Sequence, residues 1–270
     1  MKLRIPLLLA MLPLASVGAQ SPLALKFAKG ETLRYLSSVS ASQSAKYRGE
    51  TFAIKMSGSN TMVISVKSVA NGKALMSVSY TSSQSAATAT SLPEGAKKDR
   101  VKIEAEAARA IKATLSGGAR SQTVRSNGSS TYSIPMKDGQ SMTIQDGAFM
   151  MLILPKGAPN VNTRWTANIR MPIPGATRAM PVKYKLVGTA TYNGQAARKI
   201  VFSTSDSESK KQGDVAMKVR IDVKGHFLLN PATGKIVQGE VNRSVKTTLT
   251  HAKEGTRTSE QSSVQTFKKV

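Results

Sequence analysis

The sequence contains no cysteine and few aromatic residues. Without cysteine the chain cannot form disulfides or thiolate metal sites, so its stability must come from burial of apolar side chains. Phe, Trp and Tyr make up only 5% of the chain, which argues against a surface that stacks the bases of single-stranded nucleic acid. Hydrophobic residues still reach 40%, which is typical of a folded protein rather than a disordered one.

Acidic residues are the second shortage. Asp and Glu number 15 against 39 Lys and Arg, which gives a formal net charge of +24. Removal of Lys2 and Arg4 with a leader would leave 24 − 2 = +22. A positive field of this size attracts polyanions and anionic membrane surfaces. Two interpretations stay open. The basic surface binds an anionic partner, or it is well solvated and has no specific partner.

The N-terminus has the pattern of a secretory signal peptide. A short basic segment precedes an apolar segment at 5–17, and small residues then suit cleavage after Ala19. A membrane anchor is the alternative, but the apolar segment is shorter than the ~20 residues of a spanning helix. It also contains Pro6 and Pro13. We therefore predict a signal peptide at 1–19, a periplasmic or extracellular protein, and no transmembrane helix after cleavage.

The remaining residues, 20–270, are predicted to form a single β-rich domain, because apolar and polar side chains alternate along much of their length. The longest such stretch runs from Val215 to Leu249 and is interrupted by Gly225, which indicates a bend or bulge. A strand over 215–229 would be about 50 Å long at ~3.3 Å per residue. A sheet with strands of this length must coil.

Two other predicted hairpins share an Asn-Gly turn, at 71–72 and at 193–194. Both residue types accept the positive φ of a type I′ turn. The similarity suggests pseudo-repeats at 27–92 and 160–270, joined by a helical middle at 93–159. Independent use of a common hairpin turn explains the same similarity, so both interpretations stay open.

The middle of the chain changes period. Apolar residues recur at steps of three and four after Pro93, which predicts an amphipathic helix at about 97–116. Its apolar side is mostly alanine and lacks a Trp or Phe anchor, which favours packing on the sheet over lying on a membrane. An apolar run predicts a short helical turn at about 146–154, with Asp146 as its cap and Pro155 as its end.

These patterns together predict a mainly β fold. Long antiparallel strands would form a strongly curved sheet or half-barrel, with the helix against its apolar side. The concave side would hold either a filled core or a cavity, and a cavity would be lined by Val219, Ile221, Val237 and Val241. The sequence does not indicate an oligomeric state.

Several short motifs lie along the chain: Gly30-Glu31-Thr32-Leu33-Arg34-Tyr35, Leu154-Pro155, Pro159-Asn160-Val161, Trp165 and Tyr184-Lys185-Leu186-Val187-Gly188. They resemble motifs of a family of exported bacterial β-rich proteins with no assigned function. That family has a Gly-Asp pair where this chain has Asn162-Thr163, although Asn can hold a left-handed conformation. The resemblance implies an envelope or secreted protein and supplies no catalytic residues. In architecture alone, the predicted fold also resembles half-barrels that carry lipoproteins or lipids across the periplasm.

Residues that perform catalysis are sparse. His226 and His251 are the only histidines, and neither has neighbours at metal-ligand spacing. Asp222 shares the predicted strand face of His226, but four residues along a strand separate their Cα atoms by ~13 Å. The sequence has no nucleophile elbow, dinucleotide loop or phosphate loop. We therefore expect a protein that is not an enzyme and that holds no metal or cofactor.

Between Asp146 and Asp206 the chain has no acidic residue. The cations that we assign there to a candidate anion-binding face are Arg170, Arg178, Lys183, Lys185, Arg198 and Lys199. If strand pairing brings the three lysines onto one face, they would form a stripe for phosphate or sulfate. Export argues against nucleic acid, so we expect an anionic envelope lipid or polysaccharide as the partner.

Three functions are compatible with these features. The first is a non-enzymatic binding module that holds an amphiphile in its concavity or an anionic polymer on its basic face. The second is an outer-membrane β-barrel, although aromatic girdles are absent and the charged face would crowd a narrow lumen. The third is a structural or assembly component of the envelope. We favour the first.

Overall fold

The computed structural model describes residues 22–115, 120–135, 141–173, 176–253 and 255–270. The predicted signal peptide at 1–19 lies outside the described residues. The strands are β1 (Thr32–Tyr47), β2 (Glu50–Ala70), β3 (Lys73–Ser91), β4 (Arg120–Arg125), β5 (Ser129–Pro135), β6 (Ser141–Ala148), β7 (Arg164–Ile173), β8 (Ala176–Tyr192), β9 (Gln195–Gln212), β10 (Val215–Asn230), β11 (Lys235–His251) and β12 (Gly255–Lys269). A 3₁₀ helix (Glu94–Asp99) leads into α1 (Arg100–Leu115).

The twelve strands form one antiparallel sheet, in the order β6-β5-β4-β3-β2-β1-β12-β11-β10-β9-β8-β7. Strands that are adjacent in the chain pair with one another, and β1 also pairs with β12. The sheet is nearly closed like a barrel, with β6 and β7 as its edges. The predicted mainly β fold and strongly curved sheet are confirmed. The segment at 93–159 contains three strands besides α1, and the pseudo-repeats stay a prediction.

The long predicted hairpin is formed by β10 and β11, which pair from Val215 and His251 down to Asn230 and Lys235. The register shifts between Leu228 and Leu229 rather than at Gly225, where we expected the bulge. Gly225 instead makes room, because a Cβ there would lie 2.8 Å from a ring atom of Phe202 and 2.0 Å from the Glu240 carbonyl oxygen. The absence of a side chain is therefore needed for close packing.

Aromatic side chains from six strands form a continuous row on the inner face of the sheet, and we call it the aromatic row. Neighbouring ring centroids are 5.0–6.3 Å apart. Its members, in order across the sheet, are Trp165, Tyr184, Phe202, Phe227, Phe267 and Tyr35. At Gly239 a Cβ would lie only 2.0 Å from the Phe267 ring. The strand β11 thus passes beneath the row because it has glycine at this position.

One end of the curved sheet is closed by residues 22–31 and 149–154. The amide of Leu25 donates to the Ser126 carbonyl at 2.7 Å, and that of Lys26 donates to the Gly234 carbonyl at 3.2 Å. From the aromatic row, Trp165 Nε1 and the Tyr184 hydroxyl each donate at 2.8 Å to carbonyls within 149–154. We call this the closed end, since both segments bury apolar side chains there.

The prediction of a short helical turn at about 146–154 is wrong. This segment is the end of β6 followed by a tight turn, in which Met150 and Met151 have φ values of 51° and 67°. Phe149 and Leu152 form an isolated bridge across the turn. The run is apolar because its side chains enter the core at the closed end, and an apolar run of this length does not distinguish a buried turn from a helix.

The predicted amphipathic helix is confirmed as α1, which packs on the inner face of β2 and β3. Its Ile111 and Leu115 are buried against Ala41 and Met56. Gly58 allows this approach, since a Cβ there would lie 2.3 Å from a Leu115 methyl carbon. Within the described ranges, no helix is long and apolar enough to cross a membrane.

Candidate functional site

The candidate site is a groove on the outer face of β8, β9, β10 and β11. Side chains alternate between faces along each strand, so the residues between the core positions point outward. Strand pairing aligns Lys183 with Ser203, Ser203 with Lys224, and Lys224 with Asn242. The next row aligns Lys185 with Val201, His226 and Glu240 in turn.

This depression has a volume of about 540 Å³, and we call it the basic groove. Its cations are Arg164, Lys183, Lys185, Lys199 and Lys224. None of the five forms an ion pair with a residue that the structure describes. The carboxylate in the groove is that of Glu240, which accepts a hydrogen bond from Asn242 Nδ2 at 2.7 Å. The groove therefore has a clear excess of positive charge.

A second depression of about 700 Å³ continues the basic groove towards β12. The two share Lys183, Ser203, Lys224 and Asn242. The added lining is rich in hydroxyl groups, and its carboxylate, Asp222, is paired with Arg220 at 2.8 Å. A continuous trough with cations at one end and hydroxyl donors at the other thus crosses six strands, from β7 to β12.

The structure brings together only part of the predicted anion-binding face. Lys183, Lys185 and Lys199 lie in the basic groove, as the predicted strand pairing required. Arg170 borders a separate cavity, but it follows the inward Ile169 on the edge strand β7, so its side chain is on the outer face and outside the basic groove. Arg198 lies opposite the buried Leu229 and so belongs to the inner face. Arg178 is placed in β8 opposite Met171, and its side chain lies outside the described part of the structure.

Sequence reasoning missed Arg164 and Lys224 as members of the basic groove. Lys224 lies on the charged parity of the predicted strand, so its outward direction was available from the sequence. The residues that lie beside Lys224 could not be predicted from the sequence, because they depend on the register between β9 and β10. Arg164 joins the groove through the pairing of β7 with β8, where it lies opposite Lys185.

His226 is half-buried in the basic groove. Burial, and to a lesser extent the charge of Lys199, lower its pKa, while Glu240 on the neighbouring strand opposes the shift. Asp222 is not its partner, because this carboxylate is bonded to Arg220. Within the described ranges, no three His, Asp or Glu side chains are grouped to hold a metal ion.

A cavity of about 240 Å³ lies on the inner face, on the side of the aromatic row away from the closed end, and we call it the inner cavity. Ile221 and Val241 line it, as predicted. Val219 instead packs against the main core, and Val237 is buried on the outer face beside Ala197 and Leu228. The prediction for Val237 is wrong because the register shift at Leu228 and Leu229 reverses its direction.

The inner cavity combines apolar walls with a cationic mouth. Ile169, Met180, Ile221 and Val223 are buried wall residues. Arg243, directly opposite Val223, keeps an exposed side chain, although surrounding protein atoms lower its pKa through burial. An arginine nevertheless keeps its charge at physiological pH.

No protein-family model and no curated protein sequence matches this chain. Among solved structures, lipovitellin, described for its lipid–protein interactions, shares 11% identity at a TM-score of 0.44. That match covers 91% of this chain, which spans only 25% of the lipovitellin chain. The COG4313 outer membrane channel of Pseudomonas putida F1 shares 6% identity at a TM-score of 0.27, covering 91% of this chain and 97% of the channel.

A DUF1329 family protein of Desulfovibrio piger ATCC 29098 shares 9% identity at a TM-score of 0.17, with 87% of this chain and 83% of that protein covered. At TM-scores below 0.5, none of the three similarities indicates a function for this chain. The resemblance to an exported β-rich family stays a prediction. Asn162, at the position where that family has glycine, does adopt a left-handed conformation with φ of 69°.

Proposed function

We propose that the chain is an exported, non-enzymatic binding protein of the cell envelope, and that its basic groove binds an anionic polymer. The observation that carries this proposal is the convergence of five cations without a carboxylate partner on one groove. Such an arrangement leaves the positive field open to a ligand instead of neutralising it within the protein.

The length of the site favours an extended chain. The trough crosses six strands, so a polymer that lies along it meets cations and then hydroxyl groups in succession. Lys183 and Lys185 are two residues apart on one strand, so their Cα atoms lie ~7 Å from each other. The Ser203 hydroxyl and the Asn242 amide add uncharged hydrogen-bond donors. An acidic or sulfated polysaccharide offers the matching series of anions and hydroxyls.

Absence of enzymatic activity is part of the proposal. His226 is the histidine of this site, and Glu240, the acidic residue facing it, is already bonded to Asn242. A general base needs a carboxylate that orients it and a substrate within hydrogen-bond reach. We expect His226→Ala to fold normally and to bind the polymer as the unmodified chain does at pH 8.

The test uses dextran sulfate, with uncharged dextran as the ligand control. We expect binding of dextran sulfate that weakens with added salt, since exposed charges are screened. The variant K183Q/K185Q/K199Q should bind about tenfold more weakly, because three solvent-accessible charge contacts contribute a few tenths to 1 kcal/mol each. The matched control K55Q/K67Q/K73Q removes the same charge from exposed strand lysines outside the groove.

Equal losses in the two triple variants would show that net charge alone drives binding, and they would overturn the proposal. Absence of dextran sulfate binding to the unmodified chain would do the same. Phosphatidylglycerol vesicles provide a further arm. If they bind more tightly than dextran sulfate, and the groove variant abolishes that binding, the partner is an anionic lipid surface instead.

A further inference from the structure

The inner cavity is separate from the basic groove, and its walls are apolar. It lies next to the aromatic row and is lined by residues of β7, β8, β10, β11 and β12, together with Tyr132, Ala148 and Met151. Ile169 and Met180 are opposite each other in β7 and β8, and both are at most 1% exposed. Apolar walls offer water few hydrogen-bond partners, so a pocket of this composition favours an apolar ligand.

The mouth of the inner cavity carries positive charge. Arg243 on β11, opposite the inward Val223, lines it with an exposed side chain. Its guanidinium forms no ion pair with any residue that the structure describes. Gln265 lies in the same lining and donates to the Ser37 hydroxyl at 3.2 Å, which holds its side chain in place. A guanidinium is suited to bidentate binding of a carboxylate or phosphate.

The volume limits what can enter. At ~30 Å³ per water molecule, 240 Å³ corresponds to about eight water volumes. This is below the range of about 300–1,000 Å³ for pockets that enclose drug-sized ligands. The space therefore fits one medium-length alkyl chain and not a two-chain lipid.

We propose that the inner cavity binds a single-chain anionic amphiphile of the fatty-acid class. The alkyl chain lies between Ile221, Val223 and Met180, and the carboxylate lies at the mouth beside Arg243. The basic groove opens on the opposite face of the same strands and shares no lining residue with the inner cavity, whereas the second depression borders Val223 and Arg243 from the other side of the sheet.

The helix α1 covers the inner face of β2 and β3, whereas Tyr132, Ala148 and Met151 border the inner cavity without filling it. Beyond it, Val219, Val245 and Leu249 continue the apolar parity along β10 and β11, each of them half-buried. These side chains give an amphiphile an apolar approach from the open end.

The test is a titration of the full chain with decanoate, followed by fluorescence of Trp165. This is the single tryptophan of the chain, and it stacks on Tyr184 in the aromatic row. Decanol has the same chain without the charge, and butyrate has the charge without the chain. We expect decanoate to bind with one-to-one stoichiometry, decanol to bind more weakly, and butyrate not to bind.

Two variants separate the walls from the mouth. Val241→Phe fills the cavity and should abolish binding of both ten-carbon ligands. Arg243→Gln removes a cation from an exposed position, so folding is retained; it should weaken decanoate binding about tenfold and leave decanol binding unchanged. The basic-groove variant K183Q/K185Q/K199Q should bind decanoate as the unmodified chain does, which separates this proposal from the proposed function.

The proposal is overturned if decanoate fails to bind the unmodified chain, or if Val241→Phe binds it unchanged while circular dichroism shows a native fold. It is also overturned if Arg243→Gln weakens decanol and decanoate equally, because the guanidinium then does not recognise the carboxylate. Ile221→Phe repeats the wall test if Val241→Phe does not fold.

Discussion

The inner face of the sheet is covered on one half and open on the other. On β1, β2 and β3 the inward residues beneath α1 include Ala41 and Gly58, which are small enough for Leu115 to pack closely. On β10 and β11 the corresponding face carries larger side chains, among them Ile221, Val241 and Arg243, and the inner cavity remains. Small inward residues thus allow a helix to cover one half of the concavity, and larger ones accompany the inner cavity in the other half.

The two halves also differ in their polar contacts. Asn60 Nδ2 donates to the Leu115 carbonyl, and the Ala89 amide donates to Glu104 Oε1 at 2.8 Å. These bonds tie α1 to its strands. Across the sheet, Arg243 forms no ion pair with a described residue and is free to meet a ligand. Hydrogen bonds to α1 thus distinguish the structural half from the half that we propose binds ligands.

The largest expected effect comes from breaking the aromatic row on which the open half rests. Gly225→Val places a Cβ 2.0 Å from the Glu240 carbonyl oxygen, and that backbone atom cannot move without disturbing the ladder. We expect a loss of at least about 3 kcal/mol of unfolding free energy. Thermal unfolding followed by circular dichroism measures it. Gly95→Ala, where an added Cβ meets nothing within 4 Å, is the control and should be neutral.

The second prediction weakens the contact between α1 and the half of the inner face that this helix covers. Leu115→Ala removes the side chain that α1 packs against Gly58, and it should cost about 2 kcal/mol, at the low end for Leu→Ala because the cluster is small. Urea unfolding gives the free energy. Val101→Ala, on the same helix at 80% exposure, should change it by less than about 0.5 kcal/mol. Similar losses for the two variants would show that α1 is not held through Leu115.

The third prediction concerns an ion pair at the closed end, which both halves of the sheet share. Lys235 Nζ is buried and donates to Glu31 Oε2 and to the Lys26 carbonyl, which ties the N-terminal segment to β11. Lys235→Met keeps the apolar stem but leaves the Glu31 carboxylate without this partner. We expect a cost of about 1.5 kcal/mol, since Glu31 is only partly exposed. Adding Glu31→Gln to Lys235→Met should recover part of the lost free energy of unfolding. If nothing is recovered, loss of the ion pair does not explain the destabilisation.

The smallest effect concerns pH and the outer surface of the open half. Because the pKa of His226 is lowered in the fold from its ordinary value of 6.5, the unfolded chain binds more protons as pH falls through that value. The fold therefore loses stability in this window. His226→Gln should flatten the decline of unfolding free energy between pH 7 and 5, measured by urea unfolding at each pH.

The charged groups that face His226 provide a further check, since Lys199 lowers its pKa and Glu240 raises it. Lys199→Gln should flatten the decline in the same direction as His226→Gln. An unchanged slope in both variants would show that His226 does not contribute to the pH dependence.

Local patterns in the sequence predicted much of the fold. Alternation identified β10 and β11, and the turns at Asn71 and Asn193 have the positive φ values, 50° and 48°, that Asn-Gly predicts. The helix followed from its period and its alanine-rich side. Each of these depends on neighbours within one element, which the sequence shows directly.

Features that depend on register could not be predicted. The six residues of the aromatic row come from six strands and become neighbours only through pairing. The shift at Leu228 turns Val237 outward, and no residue type at that point signals it. The basic groove was predicted in part, because the outward direction of Lys183 and Lys185 follows from alternation, whereas the position of Lys224 beside them does not.

The most direct test of the central claim is lysine modification of the full chain, read by mass spectrometry with and without dextran sulfate. The account predicts that the ligand slows modification of Lys183, Lys185, Lys199 and Lys224 several-fold, while exposed strand lysines elsewhere, Lys55, Lys67 and Lys73, react as before. Equal protection of both groups, or protection of neither, would contradict it.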